Sequence, residues 1–76
     1  MEEVKYIIFY IDSENKKEFV YEINVGSVYT TENYRNAIYF NDLEDAKNIS
    51  KYLKNRQSSR NYQVASIEIV FTVMED

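Results

Sequence analysis

Residues 4–11, VKYIIFYI, alternate in the manner of a strand, yet both alternating sets are apolar. Ile7, Phe9 and Ile11 share one face, and Val4, Tyr6, Ile8 and Tyr10 share the other. A strand with two apolar faces belongs at the centre of a sheet, where each face needs a cover. Only one segment in the rest of the chain has the period of a helix. One helix covers one face, so the pattern predicts a sheet with an apolar surface left over.

The other elements follow from periodicity, because the chain has no proline and a single glycine, Gly26. The polar stretch DSENKK (12–17) reads as a turn. Residues 18–25 place Phe19, Tyr21, Ile23 and Val25 opposite Glu18, Val20, Glu22 and Asn24, which predicts a second strand in a hairpin with the first. Gly26-Ser27 suits a two-residue type II′ turn, followed by a short strand from Val28 to Thr31. TTENYRN (30–36) has no period and reads as a loop, and residues 37–40 predict a brief strand. Asn41 is the expected helix cap, with Glu44 three residues on. Leu43, Ala46, Ile49, Ser50 and Leu53 then fall on one helical face. Acids crowd the first turn and Lys51, Lys54 and Arg56 the last, in the order that suits the helix dipole. Residues 62–74 predict a long strand, with Ala65, Ile67, Ile69, Phe71 and Val73 on one side and Tyr62, Val64, Ser66, Glu68, Val70 and Thr72 on the other.

Assembled, residues 1–76 form one small α+β domain of order β-β-(β-β)-α-β, a mostly antiparallel sheet of four to five strands with one helix packed on one face. The helix is expected over Ile7, Phe9, Ile11, Phe19, Ile23, Ile67, Ile69 and Phe71. Tyr6, Ile8, Tyr10, Val20, Val64 and Val70 then lie on the uncovered face, which as a contiguous apolar patch marks an interaction surface.

Composition narrows the function classes. A chain of 76 residues buries only about 60% of the surface its unfolded form exposes. It has neither cysteine nor histidine, so disulfides, thiolate zinc sites and the commonest general base are all missing, and association becomes the remaining source of stability. The amino terminus begins with two glutamates before an apolar run of only six residues, Tyr6 to Ile11, unlike a signal peptide or a membrane span. The expected location is the cytoplasm. No serine sits in a nucleophile-elbow context, and Gly26 alone makes no phosphate cradle. DSENKK departs from a calcium loop at Lys16 and Lys17. Asp42, Glu44 and Asp45 fan around a helical turn instead of converging on a cation. The chain therefore reads as a non-enzyme, with no catalytic residue, no metal and no cofactor.

Two surfaces remain. The eight tyrosines include several suited to an interface, where a large ring with a polar tip gains contact at low entropic cost. Tyr6, Ile8, Tyr10, Tyr29, Tyr34 and Val64 are the candidate partner-binding residues, with Tyr62 on the same expected face and Tyr21 in the core. The second surface is electrostatic. Residues 47–60 hold Lys47, Lys51, Lys54, Arg56 and Arg60 with no acid, in a chain of net charge −4. This basic stripe is the candidate anion-binding site, for a nucleotide or nucleic acid.

The stretch AIYFNDLEDAKNISKYL, with Phe40, Leu43, Ala46, Ile49 and Leu53 at its apolar positions, resembles an element of small accessory proteins of Gram-positive phages and prophages. That resemblance covers about a quarter of the chain. It implies a non-enzymatic inhibitor of a host or defence-system protein, of the kind that includes the anti-CRISPR proteins, acting by occlusion. Glu18, Glu22 and Glu32 would then mimic phosphates toward a basic cleft. The alternatives are nucleotide or nucleic-acid binding through the basic stripe, and a homodimeric structural protein.

Overall fold

The structure, a computed structural model, describes residues 2–70 and 72–74. Strand β1 (Glu2–Ile11) is followed by β2 (Lys17–Ile23), β3 (Val28–Thr31), a single 3₁₀ turn (Tyr34–Asn36), helix α1 (Leu43–Arg56) and β4 (Gln63–Val70). The four strands form one antiparallel sheet of order β3-β2-β1-β4, so the doubly apolar β1 is indeed a central strand. The α+β class read from the sequence is the one observed. Phe71, expected in the core, lies outside the described residues.

The β1–β2 hairpin closes through Asp12. Its carboxylate accepts from the amides of Glu14 and Lys16, each at 2.9 Å, and Asn15 takes the left-handed conformation at φ 65°, which asparagine tolerates better than most residues. Beyond Phe9 and Phe19 the two strands part. Into the fork runs the segment 38–40: Ile38 N–H donates to the Val20 carbonyl at 3.0 Å, and Tyr6 and Phe40 exchange both backbone bonds at 2.9 and 2.8 Å. The brief strand expected at 37–40 is this wedge, and it carries the chain across the sheet to α1.

Three local expectations are corrected. The helix cap is Asp42, whose carboxylate accepts from Glu44 N–H at 2.9 Å. Asn41 is instead held by the Lys5 ammonium just after the bridge at Phe40, and the helix starts one residue further on. The β2–β3 turn has Val25 and Gly26 as its central residues, closed by Asn24 N–H to the Ser27 carbonyl at 2.8 Å. Gly26 has no positive φ, which excludes the type II′ turn, and Val25 is left almost fully exposed. β2 also carries an irregularity between Val20 and Glu22. The extra residue there breaks the alternation, so Ile23 joins Val20 on one face rather than Phe19 on the other.

The largest correction concerns which face the helix covers. Ala46, Ser50 and Leu53 are buried on the inner side of α1 and Ile49 is half-buried, while Leu43 stays exposed. They pack on the set expected to be free: Ile8, Val20 and Tyr62 are at most 1% exposed, with Tyr10, Ile23, Val28, Ile38, Phe40 and Val64 around them. Tyr6, Ile8, Tyr10, Val64 and Tyr62 therefore lie on the helix side of the sheet. The wedge decides this, because it contributes Ile38 and Phe40 to the same side as α1. Together they cover the even-numbered face of β1.

Candidate protein-binding face

The sheet face without a helix carries the odd-numbered residues of β1 and β4. Register places Ile7 beside Ala65, Lys5 beside Ile67, and Phe9 beside Phe19. These side chains line a shallow groove of about 400 Å³, bounded by Tyr34 and Lys17. Ile7 lines it and is only 2% exposed. Phe9 and Phe19 sit 5.9 Å apart between ring centroids, and Tyr34 meets Phe19 edge-on at 6.2 Å. Tyr34 is placed by the 3₁₀ turn, which Asn33 caps by accepting from Arg35 N–H at 3.0 Å. A depression of similar volume bounded by Tyr21, Thr30, Thr31 and Asn36 lacks such a lining, so apolar continuity, not size, distinguishes the groove.

Of the residues expected at a partner surface, Tyr34 lies on this groove and is 45% exposed. Tyr29 is exposed beside Tyr21 on the β2–β3 ribbon, 6.2 Å between centroids. Tyr21, expected in the core, is exposed because it sits at the irregularity in β2. Tyr6, Ile8, Tyr10 and Val64 are spent on the core side. The groove residues Phe9, Phe19 and Ile67 each belong to an alternating apolar set of their own strand, and the structure leaves these sets open instead of placing them under the helix. Glu18, Glu22 and Glu32 do not gather: Glu18 pairs across from Tyr10, Glu22 from Tyr29, and Glu32 lies 3.8 Å from the Lys16 ammonium.

The basic stripe divides in two. Arg56 donates to the Asn24 and Val25 carbonyls and stacks 5.5 Å over Tyr52, tying the helix end to the β2–β3 turn. Arg60 lies 4.6 Å over Tyr10 and donates to Tyr62 Oη and Gln57 Oε1, both at 3.0 Å, while the Tyr62 hydroxyl donates to the same Gln57 oxygen at 2.6 Å. The Tyr62 oxygen raises the Arg60 pKa above its ordinary value, against the opposing effect of burial. These two arginines are structural. Lys47, Lys51 and Lys54 instead line a groove with Ser50, Tyr62, Gln63 and Val64, and none has an ion-pair partner among the described residues. No described helix is long and apolar enough to cross a membrane, and no three of the described acids gather as a metal-binding group.

No protein-family model, curated protein or solved structure matches this chain.

Proposed function

We propose that this protein is a non-enzymatic binding module, of the phage-accessory type its central segment resembles, that inhibits a host or defence-system protein by occlusion. The observation that carries this reading is the apolar groove of Ile7, Phe9, Phe19, Ala65 and Ile67 on a sheet face that no helix covers. Aromatic residues at the centre of such a patch and charged ones at its edge match the usual anatomy of an interface. The test is retention of a host protein from Gram-positive lysate by the immobilised chain. One protein should be retained with or without nuclease treatment, lost with Phe19→Asp, and kept with Lys51→Glu/Lys54→Glu. Retention indifferent to Phe19→Asp overturns the reading.

A second reading rests on the three lysines gathered in the groove between α1 and β4, which would hold a phosphate or nucleic-acid backbone. Retention that nuclease abolishes, and that Lys51→Glu/Lys54→Glu also abolishes, favours it over the first.

A further inference from the structure

The two edges of the sheet are unequal. β3 is four residues long, a short edge of the kind that resists pairing with another chain. β4 is eight residues long, and its register with β1 runs unbroken from Gln63 to Val70. It contains no proline, no lysine and no bulge, the usual devices that blunt an edge. Its outward backbone groups follow from the wedge. Tyr6 exchanges both its backbone bonds with Phe40, on the side away from β4, so Tyr6 and its partner Ser66 form a non-hydrogen-bonded pair. The N–H and C=O of Ser66 therefore point to the free edge, and by alternation so do those of Val64 and Glu68.

Charge fixes what fits that edge. The groove of Lys47, Lys51 and Lys54 is lined by α1, by Tyr62 and by the start of β4 as far as Val64, so the lysines flank one end of the strand. Glu68, exposed and on the helix side by its pairing with Val4, stands near the other end. In an antiparallel two-fold pairing centred on Ser66, Ser66 faces its own copy and Glu68 faces Val64 of the second copy, beside that copy's lysines. The same pairing sets Ala65 against Ile67 on the helix-free face. Both contacts occur twice, as a self-complementary interface requires.

We propose that two copies of this chain associate through β4, antiparallel and centred on Ser66, to give a continuous eight-stranded sheet held at both ends by Glu68 against Lys51 and Lys54. This does not rest on the function proposed above, and its test involves no target protein. The experiment is sedimentation of the full chain over a concentration series, with circular dichroism as the check on folding. Wild type should dimerise, more weakly as salt is raised. Ser66→Pro should be monomeric with an unchanged spectrum, because the amide it removes makes no bond within the chain. Glu68→Lys should raise the dissociation constant about tenfold or more, and adding Lys51→Glu/Lys54→Glu should restore it. A monomeric wild type, or a dimer indifferent to Glu68→Lys, overturns the proposal. The charge variants decide the matter even if Ser66→Pro fails to fold.

Discussion

Tyr62 shows how a single residue ties three elements together. Its ring is fully buried and meets Tyr10 edge-on at 5.4 Å, while its hydroxyl joins Gln57 and Arg60. Gln57 directly follows α1 and Arg60 lies in the loop before β4, so the network sets where the helix ends and the last strand begins. Tyr62→Phe removes one donor and one acceptor from a part-buried cluster. It should cost about 1–2 kcal/mol, read as a lower denaturant midpoint with an unchanged slope. Gly26 is the opposite case. It has no positive φ and a Cβ built there meets nothing within 4 Å. Gly26→Ala should therefore stabilise the fold by about 0.4–1 kcal/mol, by restricting the unfolded chain, and raise the melting temperature.

At the scale of elements, β2 differs most from its apparent pattern. Phe19, Tyr21 and Ile23 alternate cleanly in sequence, but the pairings Val20 with Thr30, Glu22 with Tyr29 and Ile23 with Val28 leave Tyr21 as the unmatched residue. The bulge brings Ile23 and Val28 under the end of α1, where they join the core cluster. Removing Tyr21 would give a regular ladder with Val20 and Ile23 still on the helix side. The Tyr21 deletion should therefore fold, with nuclear Overhauser contacts from Ile23 to Leu53 preserved. Loss of those contacts would mean that Tyr21 is not the extra residue of the ladder.

For the whole molecule, the consequential fact is which side of the sheet is closed. A chain of this size has roughly 4–11 kcal/mol of stability, at about 0.05–0.15 kcal/mol per residue. A charge placed under the helix removes most of that, while one on the open groove meets solvent. Ile8→Asp should abolish cooperative unfolding, whereas Phe19→Asp should leave a folded protein with a modestly lowered melting temperature. The reverse ranking would put the helix on the other face. The same division separates residues required for folding from residues available to a partner, so binding defects at Phe9, Phe19 and Ile67 can be measured without loss of the fold.

The strands, the helix, the central place of β1 and the existence of an apolar face beyond the reach of one helix are all legible in the order of residues. Each of these is a local matter of period, capping and length, as with Ala46, Ser50 and Leu53 spaced along α1. Which face remains open is set by long-range packing. Both faces of β1 are apolar, so its alternation carries no sign; the choice came from Ile38 and Phe40, which enter the fork between β1 and β2 and build the core on the side of Ile8. The split of the basic stripe was equally invisible in the chain. Arg56 and Arg60 are engaged by carbonyls and a tyrosine far from them or across a turn, while Lys47, Lys51 and Lys54 are not, and that difference exists only once the helix has docked.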